Sequence, residues 1–170
     1  MLCGASASAT PPASEYQVKA AYLFNFGQFV EWPAEAYSSA NAPFVIGVVG
    51  RDPFGKTLDD VVRGESLAGR QFVVRRFKDA DDIDSCHILF IARSETARLA
   101  QALDAARGRN VLTVTDIEGA ERRGAMIVLV NQDNRVRMRI NLSAARASNL
   151  VISSNLLRPA QLVGSDEATP

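Results

Sequence analysis

The chain has 170 residues, 47% of them hydrophobic and 22% charged, with 19 basic side chains against 19 acidic. This is the size of one domain, which buries roughly 70% of its unfolded surface and needs no covalent staples. The charge balance excludes a general attraction to nucleic acid or anionic lipid.

Residues 1–14 differ in composition from the rest. Met1-Leu-Cys-Gly-Ala-Ser-Ala-Ser-Ala9 is small and apolar, and Ala7-Ser-Ala9 before Thr10 looks like a signal-peptidase site lacking its charged front. The reading is a leader remnant cleaved after Ala9, which implies secretion of the mature chain; an ordinary disordered tail is the alternative. Cys3 lacks the context of a lipid-attachment cysteine. If it leaves with the leader, Cys86 is the only thiol, and no intramolecular disulfide is possible. No later run approaches the ~18 apolar residues that span a bilayer, so no membrane insertion is expected.

Residues 14–33 hold half of the chain's aromatic residues: Tyr16, Tyr22, Phe24, Phe26, Phe29 and Trp32. Val18, Tyr22, Phe26, Phe29 and Val30 recur at helical spacing, which predicts a core helix with Lys19, Gln28 and Glu31 on its wet side. Ser14 with Gln17 fits a capping box, and Pro33 forbids continuation.

Phe44-Val-Ile-Gly-Val-Val-Gly50 then reads as a strand buried on both faces. Asp52 is placed to cap a helix beginning at Pro53, with Leu58, Val61 and Val62 inward. A second strand spans 71–77. After a polar link comes Cys86-His-Ile-Leu-Phe-Ile-Ala92, again apolar on both faces. Ser94 is placed to cap a helix over 95–107 with Ala97, Leu99, Ala100, Leu103 and Ala106 inward. A strand over 111–115 follows, then two arms, 125–130 and 135–141, joined by the turn Asn131-Gln-Asp-Asn134. Arg135, Arg137 and Arg139 alternate with Val136, Met138 and Ile140, which makes the second arm an edge or solvent-facing strand. Ser143 is placed to cap a short helix over 144–148, 152–157 leads to a segment broken by Pro159, and 164–170 reads as a disordered tail. The expectation is one α/β domain over 15–163: a three-layer sandwich with a mostly parallel sheet, an antiparallel hairpin at one side and helices on both faces.

One motif points to nucleotide. Gly50-Arg-Asp-Pro-Phe-Gly55-Lys-Thr57 satisfies the phosphate-loop pattern between a strand and a helix. Yet Asp52 brings a negative charge, Pro53 has no amide and Phe54 is bulky, so a strand-to-helix turn is the better reading. Cys86 and His87, adjacent in a strand, leave by opposite faces and cannot pair. One histidine and one mature cysteine exclude zinc sites of those residues, and any triad unless His87 is its base. Asp79, Asp81, Asp82 and Asp84 lack the glycine and terminal glutamate of a calcium loop. The arginines of 135–139 suit either an acidic partner or an edge that blocks aggregation. No catalytic residue, cofactor or metal is assigned, and the chain does not read as an enzyme.

Taken together, Tyr16-Gln-Val-Lys-Ala-Ala-Tyr-Leu-Phe-Asn-Phe26, Phe29-Val-Glu-Trp-Pro33, Gly50-Arg-Asp-Pro-Phe-Gly55, Cys86-His-Ile-Leu-Phe90, Val111-Leu-Thr-Val-Thr-Asp116 and Ile152-Ser-Ser-Asn-Leu-Leu157 fall in the order of a known family. The chain resembles the YfiR family of periplasmic regulators over about 15–163. The resemblance implies a periplasmic homodimer that binds and inhibits a YfiN-like membrane diguanylate cyclase through its periplasmic domain. It also implies release by an outer-membrane YfiB-like protein or by redox stress, with consequences for cyclic di-GMP and biofilm. Family members can bridge the cysteine of Cys-His-Ile-Leu-Phe to one in the first strand, which here has none, so redox control by that route is not expected. The partner-binding expectation falls on Leu150, Ile152, Leu156 and Leu157 with Arg137 and Arg139 beside them; the same leucines could instead close the core. The second functional reading is a periplasmic small-molecule receptor with its pocket at the carboxyl ends of the parallel strands, near 50–54 and 93–95.

Overall fold

The computed structural model describes residues 12–163; the leader region with Cys3 and the tail over 164–170 lie outside the described residues. Five parallel strands form the centre of an eight-stranded sheet: β2 (Phe44–Val49), β4 (Arg70–Phe77), β5 (Ile88–Ile91), β6 (Leu112–Thr115) and β7 (Ile127–Gln132). Their spatial order is β4-β2-β5-β6-β7. The chain leaves β2 in one direction through α2 (Lys56–Val62) and then returns past it in the other, so the winding reverses between β2 and β5. In such sheets the crevice at that reversal, outside the carboxyl ends of the strands, is where ligands tend to bind.

The hairpin partner of β7 is β8 (Arg135–Asn141), in antiparallel register with Gln132 opposite Arg135. Its turn is tighter than the sequence suggests. Asp133 and Asn134 alone make it, at φ of 54° and 61°, the two consecutive left-handed residues of a type I′ turn. β8 is also not the edge. After Pro159, β10 (Gln161–Val163) runs parallel to it and pairs with 139–141. At the opposite edge β3 (Ser66–Leu67) pairs antiparallel with β4.

Alternation along the strands divides the core in two. Phe44, Ile46, Val48, Ile88, Phe90, Leu112, Val114, Ile127, Leu129, Met138 and Ile140 face one layer, made of α1 (Pro12–Phe29), α2, α4 (Leu142–Ala147) and α5 (Ser154–Leu157). Val45, Val49, Leu89, Ile91, Val128 and Val130 face the other, where α3 (Leu99–Ala106) packs with Leu99, Ala102, Leu103 and Ala106. This is the expected three-layer sandwich.

The helices differ in detail from the sequence reading. α1 begins at Pro12, so Ser14 lies inside the helix rather than capping it. Its buried stripe is Lys19, Ala20, Leu23, Phe26 and then Val30, whereas Val18 is 43% exposed. The predicted phase is displaced by about one position because Tyr22, Phe24 and Phe29 are half-buried on the flanks, which blurs the period. α1 lies so close to the sheet at Gly27 that a Cβ there would come within 3.1 Å of the Phe72 ring. α2 starts at Lys56, not Pro53, since Asp52 Oδ1 accepts from the Phe54 amide and closes a turn instead of a helix. Residues 93–98 form 3₁₀ turns before α3, leaving Ala97 and Ala100 exposed. Asn141, rather than Ser143, caps α4 by accepting from the Ala144 amide at 3.0 Å.

Candidate functional site

At the carboxyl end of β2 the loop of the phosphate-binding pattern is already filled by protein. Phe54 is buried, edge-on to Tyr16 at 5.6 Å and to Phe90 at 4.8 Å. Asp52 Oδ2 accepts from Arg76 Nε at 2.6 Å, and the same guanidinium donates to Gly55 O and Asp59. The carboxylates on both sides hold Arg76 more firmly protonated than usual. Gly50, at φ +94°, faces Ser94 and Glu95 so closely that a Cβ would fall 2.6 Å from Ser94 Oγ. Ser94 does not cap a helix; its Oγ accepts from the Arg51 amide at 2.8 Å. Beside these cross-ties lies a shallow basin of about 490 Å³, lined by Gly50, Arg51, Lys78, Asp79, Glu95 and Arg98, in which Arg98 bridges Glu95 and Asp79. The pocket expected near 50–54 and 93–95 is thus an open basin in which Arg98, Glu95 and Asp79 are engaged with one another.

A more enclosed polar arrangement lies two strands away, at the end of β6. Asp116 has no side-chain exposure and neither has Lys19, whose ammonium is 3.0 Å from Asp116 Oδ2. Tyr16 donates to the same oxygen at 2.8 Å, and Arg93 Nε approaches it at 3.4 Å. Burial and the bond to this carboxylate both push the Tyr16 phenol above its ordinary value. Lys19 also reaches Glu15 one turn earlier. Asp116 Oδ1, in contrast, has no hydrogen-bond partner among the described residues. Next to it Arg139 pairs with the buried Glu121, whose second oxygen is likewise without a partner, and Asn141 donates to Glu121 O. Asp116, Arg93 and Arg139 line a cavity of about 130 Å³ together with Glu118, Asn131 and Gln132. Sequence reading placed Lys19 in water and gave Asp116 and Tyr16 no role. A lysine four residues before Leu23 and seven before Phe26, in so aromatic a helix, was the available signal.

His87 proves structural. Its ring stacks on Phe44 at 4.8 Å and on Tyr37 at 4.7 Å. Nδ1 accepts from the Val45 amide at 3.0 Å, and Nε2 lies 3.0 Å from Ala36 O, which it serves as donor. The neutral ring satisfies both neighbours, and burial holds its pKa below the ordinary value, with the nearby Arg70 and Arg75 acting in the same direction. Trp32 Nε1 donates to His87 O at 3.1 Å. Cys86 leaves by the other face, as expected, and packs against Gly47, where a Cβ would lie 3.4 Å from its Sγ. Burial pushes its thiol up to about 12, which leaves it unreactive at neutral pH.

The residues expected to bind a partner do not form one patch. Leu150, Ile152 and Leu156 are buried in the core cluster and Leu157 packs partly against it. The reason lies in β9 (Val151–Ile152), which pairs antiparallel with β1 (Val30–Glu31), while the Ser153 amide donates to Phe29 O at 2.8 Å. The C-terminal segment is thereby tied to the end of α1. Arg137 and Arg139 leave β8 by the opposite face, with Arg137 exposed and Arg139 engaged with Glu121. The apolar surface that remains in this region is Val151 at 60% exposure and Leu162 at 46%.

A family model described as YfiR/HmsC-like matches residues 16–161. The chain belongs to that family. The match opens at the Tyr16 that donates to Asp116 and closes at the first residue of β10, so it covers every layer of this YfiR/HmsC-like domain. Comparison with curated proteins yields no match.

Proposed function

We propose that this YfiR/HmsC-like protein is a periplasmic regulator that binds the periplasmic domain of a YfiN-like membrane diguanylate cyclase and holds it inactive, lowering cyclic di-GMP and biofilm formation. The observation that carries the reading is the family match across nearly the whole described domain. The chemistry is compatible with it. Cys86 and His87 are committed to packing, and the loop of the phosphate-binding pattern is filled by Phe54. Work of this kind is done by surface fit, with desolvated apolar anchors and a charged rim. Val151 and Leu162, the large apolar side chains left exposed in the C-terminal segment, with the exposed Arg158 between them in sequence, are the anchors we assign to the cyclase or to a second copy of the chain. An outer-membrane YfiB-like protein is the partner that would compete for release.

The test is deletion of the gene in its own host with cyclic di-GMP measured in extracts. The reading expects a rise that is reversed by supplying the chain with its leader. An unchanged level after deletion would contradict it.

A further inference from the structure

We propose that His87 is an acid-sensitive pin: on taking up a proton its ring leaves the stack between Phe44 and Tyr37, enters the adjoining cavity and frees the turn at residues 34–36. This goes beyond the regulatory reading and does not depend on which protein the chain binds.

The contacts that make His87 structural leave no room for a proton in place. Nδ1 takes the Val45 amide at 3.0 Å and Nε2 serves Ala36 O at 3.0 Å, so both nitrogens are committed. An imidazolium has two N–H donors and no acceptor. It would set N–H against N–H at Val45 and hold a charge between the Phe44 and Tyr37 rings, out of water. Arg70 and Arg75, both on β4, add repulsion at the same place. Protonation therefore requires the ring to move.

A place to move to adjoins it. His87 lines a cavity of about 610 Å³ at the amino ends of β2, β5 and β6. Two carboxylates share that lining, Glu35 from the turn at Ala34–Ala36 and Asp84 from the link before β5, and neither is in an ion pair among the described residues. The guanidiniums of the same lining are held by backbone carbonyls, Arg75 by Ser85 O and Arg109 by Ile83 O. Cys86, also in the wall, is a neutral thiol, pushed up to about 12 by burial. An imidazolium that swings outward thus leaves an apolar stack for water and two carboxylates.

His87 pins only one half of the connection from β1 to β2. Ala36 O meets the imidazole, whereas Ser39 O and Ala42 O accept from Arg70 at 2.9 and 2.8 Å. Arg70 also lies over the Tyr37 ring at 3.8 Å. Release of the imidazole therefore loosens the turn before Tyr37 and leaves the rest tied to β4.

Native-state hydrogen exchange of the full chain, read residue by residue by NMR from pH 7.5 to pH 4, tests this. The Val45 amide is the direct reporter because its bond is to the imidazole itself, and the Tyr37 amide, bonded to Ala34 O, reports the turn. The amides of Ile88–Ile91 report global unfolding. The pinned ring resists the proton and the released ring takes it at the ordinary 6.5, so opening is favoured as pH falls below that value. The proposal expects Val45 and Tyr37 to be less protected than β5 and to lose up to about thirtyfold in protection from pH 7.5 to pH 5. His87→Gln, neutral throughout, should flatten that fall. Protection at Val45 equal to that of β5 at every pH, a flat profile in the wild type, or the same fall in His87→Gln would overturn the proposal. Should the variant fail to fold, the wild type decides alone: the fall must begin near pH 6.5, and one confined to about pH 5 and below, where carboxylates titrate, would overturn it too.

Discussion

His87 shows how one side chain can join three segments without doing chemistry. It takes the Val45 amide on one nitrogen, meets Ala36 O on the other, and is stacked between Phe44 and Tyr37. Protonation would set an N–H against the Val45 N–H, so the folded state resists it, and the folded pKa lies below the ordinary 6.5. The unfolded chain therefore binds a proton first. His87 contributes stability that is fully present above about pH 6.5 and is lost as pH falls from there toward the folded pKa. Urea unfolding at pH 7.5 and pH 5 should show a lower midpoint in acid, and His87→Gln should reduce that difference. An equal drop in the variant would assign the effect to other groups. The adjacency of Cys86 and His87 made their separation to opposite faces legible in the sequence. The stacking of His87 was not, because Tyr37 and Trp32 come from a connection without periodicity.

At the scale of elements, α1 decides how far the pattern could be read. The helix, its place in the core and its stop before Pro33 all follow from residues 14–33, yet its phase does not. A stripe through Val18 would bury that valine and expose Lys19; the structure does the reverse, with Lys19 wholly buried and Val18 43% exposed. The two positions make a sharp test. Lys19→Met removes the buried cation of Asp116 and leaves that carboxylate only the Tyr16 hydroxyl and the more distant Arg93, which should cost about 3 kcal/mol of unfolding free energy. Val18→Ser, one residue away, should stay within about 0.5 kcal/mol of the parent. Chemical denaturation of both variants checks this, and equal losses would mean the phase is wrong. The C-terminal segment was legible as apolar but not as to where it goes. Its leucines are core because β9 pairs with β1, a contact between residues more than a hundred positions apart that no local pattern announces. β10 escaped for a similar reason: three residues after Pro159 carry no strand signature, and only their pairing with β8 defines them.

For the whole molecule, the apolar runs 44–50, 86–92 and 111–115 were enough to specify a parallel sheet between helical layers, since strands so uniformly buried need cover on both faces. What that sheet presents to a partner depends instead on the few apolar side chains left outside it. Val151 is the most exposed of them, and it stands opposite Glu31 in the small β1–β9 pair, so Val151→Arg places a charge on the surface without disturbing the pairing. The decisive measurement is binding of the purified chain to the purified periplasmic domain of the host's membrane diguanylate cyclase, wild type against Val151→Arg. The account predicts a saturable complex for the wild type and at least about tenfold weaker binding for the variant at an unchanged melting temperature. No complex with the wild type would contradict it.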